Sequence, residues 1–205
     1  MKVAVLGASG KGGSEITKEL VSRGHEVIAI GRNAETLPSG DHIEQRPGDA
    51  SDAAALPGLI AGADAVISAL HFDVPASTLL GAVKQAGIDR LLVMGGAASL
   101  TNPDGVRVFD SEGFPEFLKP IVKPGIDFLE DLKNDTETAW TFFSPAMNIF
   151  VGDRMGPESF RLGKDDLVVD DAGESKISYA DYAIAMVDEL EQGNAIRSRF
   201  TVGYK

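Results

Sequence analysis

Through the first two-thirds of the chain, short apolar runs alternate with segments whose apolar positions recur every three to four residues. The runs predict strands at Lys2–Leu6, His25–Ile30, Ile43–Arg46, Ala65–Ser68, Arg90–Met94 and Trp140–Phe143. The segments between them predict helices near Ser14–Arg23, Asp52–Ile60, Ala76–Ala86 and Gly125–Asn134. Gly24, Gly58, Gly62 and Gly87 fall where helices or their links should end, the usual place of a C-terminal glycine. Strands separated by crossover helices require a parallel sheet, and β-branched runs without alternation mean that both faces are covered. The expected fold class is α/β, a doubly wound parallel sheet with helices on both faces.

Further along, the pattern loosens. Pro103, Gly105, Gly113, Pro115, Pro120 and Pro124 predict an irregular excursion over Asn102–Pro124, and Gly152, Gly156 and Pro157 a second one after Pro145. Beyond these, Leu167–Val169 and Lys176–Ile177 read as a hairpin turning through Asp171 to Gly173, a small C-terminal extension. A helix over Ala180–Gln192 and a strand over Arg199–Gly203 end the chain. No repeat, low-complexity tract or linker interrupts it, so a single domain over 1–205 is expected, with substrate loops near 97–124 and 148–164.

Composition narrows the classes of function. The chain has no cysteine, which excludes disulfides, thiolate metal sites and a cysteine nucleophile and fits a reducing, cytoplasmic setting. Its net charge of −12 argues against nucleic acid, which needs clustered lysine and arginine. No apolar run approaches a membrane span, and the N-terminus passes straight into the first strand, so no signal peptide is expected. Three scattered histidines, His25, His42 and His71, offer no metal-ligand spacing, so no metal is expected.

The candidate chemistry begins at the end of the first strand. There the chain reads Gly7-Ala8-Ser9-Gly10-Lys11-Gly12-Gly13, with glycines at every third position from Gly7, and a helix follows. A strand, a tight glycine turn and a helix N-terminus bring unpaired amides and the positive end of the helix dipole to one point, where a pyrophosphate can sit. The second strand ends Gly31-Arg32, where an acidic residue would select the free ribose. An arginine can clamp a 2′-phosphate instead, so NADP is favoured over NAD.

Other strand ends add candidates on the same edge. After the third strand, Asp49 can reach an adenine amine, with Ala50 beside it; equally, Asp49 or Ser51 can simply cap the next helix, and Asp52 can serve as first-turn charge. Ser68, Ala69 and Leu70 after the fourth strand, and Gly95 and Gly96 after the fifth, are small enough to let a cofactor's sugars lie against backbone. Ser144, Pro145 and Ala146 follow the sixth strand, at the nicotinamide position. Candidates for catalysis are His71 as a proton donor, Asn148, and Arg154 as a contact for a substrate anion or a surface ion-pair partner. Phe109, Phe114, Phe117 and Phe150 offer stacking surfaces for an acceptor or plain packing.

Taken together, the glycine pattern, Arg23–Val27, Ser144-Pro145-Ala146, Ile177–Ala183 and the closing Arg199–Tyr204 resemble the atypical NAD(P)-binding branch of the short-chain dehydrogenase/reductase superfamily. Within it, the chain is similar to the NADH-flavin reductase, biliverdin reductase B-like and NmrA-like groups. That resemblance implies a Rossmann-like fold over the whole chain. It also exposes a departure. Alcohol-oxidising members use Tyr-x-x-x-Lys, whereas Tyr179 is followed four on by Ala183, Tyr182 by Met186, and Tyr204 is penultimate. The serine expected after the fifth strand is displaced by Gly95-Gly96-Ala97-Ala98.

Hydride transfer to a flavin or quinone needs no such pair, because these acceptors take protons from solvent. The expected function is an NAD(P)H-dependent oxidoreductase acting on a small conjugated acceptor, with flavin as a substrate and not a tightly bound group. The alternatives are a dinucleotide sensor of NmrA-like type and, third, an enzyme like the nucleotide-sugar epimerases and dehydratases. A monomer or homodimer is expected.

Overall fold

The computed structural model describes residues 1–205. Six parallel strands come first: β1 (Lys2–Leu6), β2 (Glu26–Gly31), β3 (Ile43–Pro47), β4 (Ala65–Ser68), β5 (Arg90–Met94) and β6 (Ala139–Ser144). The crossovers run through helices α1 (Lys11–Ser22), α2 (Leu56–Ile60), α3 (Ala76–Gln85) and α4 (Lys119–Lys133). The rest of the chain adds β7 (Asn148–Phe150), β8 (Phe160–Gly163), β9 (Lys176–Ser178), α5 (Tyr179–Gln192) and β10 (Ser198–Tyr204). The main sheet has the order β3-β2-β1-β4-β5-β6-β10-β8, with only the edge strand β8 antiparallel. This is the doubly wound, Rossmann-like sheet that the alternating pattern predicts.

Alternation along β1 explains its two cores. Val3 and Val5 face one way and pack with Ile16 and Leu20 of α1 and with Tyr182 and Met186 of α5. Ala4 and Leu6 face the other way and pack with Leu79 and Val83 of α3 and with Phe128 and Leu132 of α4. Both sides are buried, so every strand position can be apolar. The strand order reverses about β1, with β2 on one side and β4 on the other, and the crevice beyond their carboxyl ends is where such sheets place ligands.

Three expectations about elements need correction. Leu167–Val169 forms no hairpin with Lys176–Ile177; β9 instead pairs in parallel with β7, Asn148 opposite Lys176. Val168 is drawn inward to pack on Gly163 and Gly203, which removes it from any edge ladder. The helix expected from Asp52 starts only at Leu56, because Asp52 Oδ1 accepts from the amides of Ala54 and Ala55 and holds a turn ahead of it. The excursion expected to end at Pro124 gives way at Lys119 to helix α4. Pro120 needs no amide partner in a first turn, and Pro124 lies on the exposed face, where the carbonyl it leaves unbonded meets water. Strands β7 and β8 are too short to show a pattern in the sequence.

Candidate functional site

Every third residue of the turn after β1 is glycine for a different reason. Gly7 has φ +76°, and a Cβ there would come within 2.9 Å of Ala69 O. A Cβ on Gly13 would come within 2.1 Å of Gly7 O, so α1 can approach β1 only because both lack side chains. Gly10 donates to Gly7 O and is the N-cap of α1, and it has no side chain with which to cap. The amides of Gly7 and Ala8 are used up on Ile30 O. Those of Ser9, Lys11, Gly12 and Gly13 have no acceptor in the chain.

Four unpaired amides at the start of a twelve-residue helix form a donor set for an anion. They fit the pyrophosphate of a dinucleotide. Lys11 and Arg32, neither of which is paired with a carboxylate, add positive charge on either side of the turn. Asp49 lies within electrostatic reach of Arg32, and its carboxyl is held below the usual range, chiefly by the Ser51 amide, then by the Ser51 hydroxyl and the Arg32 charge. Its Oδ1 accepts both Ser51 donors, closing a local turn; Oδ2 has no partner. Asp49 is therefore not the cap of α2; it shapes the loop that faces the glycine turn.

Gly7, Ser9, Gly10, Arg32, Asp49, Ala50, Ala69, Leu70 and His71 line one cavity of about 240 Å³. Ile30, Gly31, Gly48, Ser51, Asp73 and Val74 complete its wall. A second, more apolar cavity of about 160 Å³ lies beside it, walled by Phe72, Gly96, Ala97, Ala98, Ser99, Ile121, Val122, Gly125 and Ile126. His71 is the one residue common to both, and the only titratable side chain of the second.

The remaining predicted residues are placed around these cavities. Ala8 is buried under the loop, and Gly12 presses against Met94 and Tyr179. Ser68 is the buried last residue of β4. Gly95 donates to Phe143 O and sits so tightly on the Phe142 ring that a Cβ would come within 2.4 Å of it. Ser144, Pro145 and Ala146 are buried at the end of β6 and line neither cavity; the Ser144 hydroxyl has no partner.

Two catalytic candidates lie elsewhere. Asn148 is exposed on β7, its amide bonded to Ser175 O. Arg154 reaches back to Glu19, a carboxylate buried in α1, and belongs to an ion-pair cluster with Arg23. A buried carboxylate draws the nearest cation more strongly than solvent does, and the sequence gives no sign of that distance-135 pairing. The stacking candidates fare similarly. Phe109 and Phe114 pack on each other at 5.8 Å, Phe150 packs edge-on to Tyr204, and Phe117 is exposed; none lines either cavity. Phe72, which sequence reasoning passed over although it follows His71, takes their place and stacks on Phe142 at 6.1 Å.

Two of the three tyrosines, Tyr182 and Tyr204, are hydrogen-bonded away from any lysine. Tyr182 is fully buried, donates to Phe143 O at 2.6 Å, and has its ionisation pushed up by burial. Tyr204 donates to the buried carboxylate of Asp181 at 2.7 Å. The same carboxylate accepts from the amides of Met155 and Gly156, which ties the 151–156 segment to the start of α5. Ser99, the serine displaced from its expected place after β5, does border the second cavity, where its Oγ accepts from Arg199 at 3.0 Å. No group of three histidine, aspartate or glutamate side chains gathers as a metal site would require, and no helix is long and apolar enough to cross a membrane.

The model of a family described as NAD(P)H-binding matches residues 7–192. Among curated proteins, the uncharacterized protein YwnB of Bacillus subtilis is 40% identical over 98% of each chain. Two solved structures superpose over nearly their whole lengths. One, called a "putative epimerase", from Bacteroides thetaiotaomicron, is 41% identical with a TM-score of 0.90, covering 99% of this chain and 96% of that one. The other, called a "putative NADH-flavin reductase", from Streptococcus pneumoniae, is 35% identical with a TM-score of 0.85 and full coverage of both.

Proposed function

The chain belongs to the NAD(P)H-binding family, and on that premise we propose that it is an NADPH-dependent reductase of a flavin, quinone or similar conjugated acceptor. One observation carries the reading: a cavity lined by the glycine turn, next to that turn's unpaired amides, adjoins a smaller apolar cavity, and His71 is shared between them. The first has the donors for a dinucleotide; the second has apolar walls suited to a planar ring and a single imidazole to meet its polar edge.

The bound nicotinamide would supply the hydride. What the chain itself contributes is orientation: the free amides of Ser9, Lys11, Gly12 and Gly13, with Arg32, would hold the phosphates, while Phe72, Ile121 and Ile126 offer apolar walls to the neighbouring space. His71, which lines both cavities, would donate an Nε2–H or Nδ1–H to an acceptor carbonyl. The name borne by the Streptococcus pneumoniae relative supports this reading. Against an epimerase stand the engagement of Tyr182 and Tyr204 and the lack of a lysine four residues after any tyrosine.

The deciding measurement is NADPH oxidation by the purified protein with free FMN, FAD and a soluble quinone, beside NADPH and NADH binding by fluorescence. Turnover with at least one acceptor, and tighter binding of NADPH than NADH, are expected. Micromolar NADPH binding without turnover on any of them would overturn the reductase in favour of a sensor.

A further inference from the structure

In a chain with 31 acidic and 19 basic side chains, thirteen of the lysines and arginines pair with a carboxylate. Lys11, Arg32, Arg161, Lys164, Arg197 and Lys205 do not. An unpaired cation among surplus acids is a cation kept free. Two of these flank the glycine turn, where the proposed ligand is itself an anion. Lys164 and Arg197 line a different cavity, of about 650 Å³, at the N-terminal ends of β6 and β10. It lies at the opposite end of the sheet and shares no residue with the two cavities already described.

The cavity arises from sheet geometry. Strand β8 stops at Gly163, opposite Thr201, so Ser198, Arg199 and Phe200 of β10 have a strand partner only on the β6 side. The acids in the wall are each engaged. Asp165 holds Arg199 at 2.5 Å, Asp188 holds Arg23 at 2.7 Å, and Glu189 holds Arg90 at 2.8 Å while accepting from the amides of Asn194 and Ala195. Each of these acids has a cation partner, Arg23 being shared with Glu19 and Glu191, whereas Lys164 and Arg197 have no carboxylate partner.

Arg197 also has φ +50°, a left-handed backbone rare outside glycine. It is kept there by its amide, which donates to Trp140 O at 2.7 Å, and by Nη1, which donates to Thr136 O at 3.2 Å. Such enforced strain gathers at ligand sites. The apolar part of the wall includes Phe200 and Leu162, the latter a β8 side chain left 57% exposed. The volume lies in the range of small-molecule sites.

We propose that this cavity is a second ligand site, for a small organic anion whose charge meets Lys164 and Arg197 and whose apolar body lies on Leu162 and Phe200. It is independent of the dinucleotide site.

The test uses the full chain and 8-anilinonaphthalene-1-sulfonate, an aromatic anion whose fluorescence rises on apolar surfaces, titrated with and without saturating NADP⁺. Saturable binding that NADP⁺ leaves in place is expected, weakened about tenfold by Lys164→Glu with Arg197→Glu, the worth of one charge-assisted contact. Lys164→Gln alone, at an exposed side chain without partners, should weaken it several-fold if the double variant folds poorly. Melting temperature and NADP⁺ binding, read on each variant, report folding and the first site separately. Displacement of the probe by phenyl phosphate or by benzoate then gives the anion's class. Probe binding that is absent, abolished by NADP⁺, or unchanged in a folded variant would overturn the proposal.

Discussion

Gly13 lies against the carbonyl of Gly7 so closely that a Cβ added to it would stand 2.1 Å from that oxygen. The neighbour is backbone, which cannot swing aside as a side chain would. Gly13→Ala is therefore expected to push α1 away from β1, to destabilise the fold by about 1–3 kcal/mol and to displace the free amides of Lys11 and Gly12. Thermal melts and NADPH titration together check this; a variant that binds NADPH as well as wild type would show that the contact is slack.

Arg32 sits at the end of β2 with no carboxylate partner and its charge within reach of Asp49. Arg32→Ala should weaken NADPH by about tenfold, on the scale of a charge-assisted hydrogen bond, and NADH by much less. Equal losses for the two cofactors, or equal affinity in wild type, would remove the assignment of Arg32 to a 2′-phosphate.

Arg154 is expected to matter for stability and not for the site. Burial pushes the Glu19 carboxyl up, but hydrogen bonds from Arg154 and Arg23 outweigh it and hold the group below its ordinary 4.5. A depressed carboxylate stabilises the fold above its unfolded-state value and loses that contribution as pH falls through the folded-state value. Since the Arg154 side chain is 53% exposed, solvent screens the pair and Arg154→Ala should cost about 1 kcal/mol near neutral pH. The gap between wild type and variant should close as pH falls below 4.5. Urea unfolding across this range measures it, and NADPH affinity should stay unchanged.

Asp181 is inaccessible and accepts from Met155 N, Gly156 N, Ser178 Oγ and Tyr204 Oη. Asp181→Asn turns one acceptor into a donor among donors, which should destabilise by about 3 kcal/mol and release the 151–156 segment. Limited proteolysis should then cut within that segment before the rest of the chain. Cleavage indistinguishable from wild type would count against the anchor.

His71→Ala removes the one side chain that the two cavities share. NADPH binding should change less than twofold, while kcat/KM for an acceptor should fall about tenfold, near the worth of one hydrogen bond to the reacting ring. Stopped-flow reduction of FMN at saturating NADPH distinguishes this from a binding effect.

What was legible along the chain was what local sequence physically enforces. Parallel strands buried on both faces must be apolar, a glycine turn must stand where backbone meets backbone, and small residues must end strands that face a ligand. The doubly wound sheet and the first cavity follow from these, with Gly7, Ser9, Gly10, Arg32, Asp49, Ala50, Ala69, Leu70 and His71 gathered in one wall. The second cavity was less legible, because its wall joins Phe72 to Ile121 and Ile126, residues some fifty positions apart with no shared pattern.

The sequence by itself determined the fold class, the glycine turn and the absence of a Tyr-x-x-x-Lys spacing, since each depends on residues near one another in the chain. Only the tertiary structure decided that Arg154 serves Glu19, that β9 pairs with β7 instead of closing a hairpin, and that Lys164 and Arg197 share a cavity. These are choices of partner among distant groups. They are settled by burial and packing, which no stretch of sequence contains.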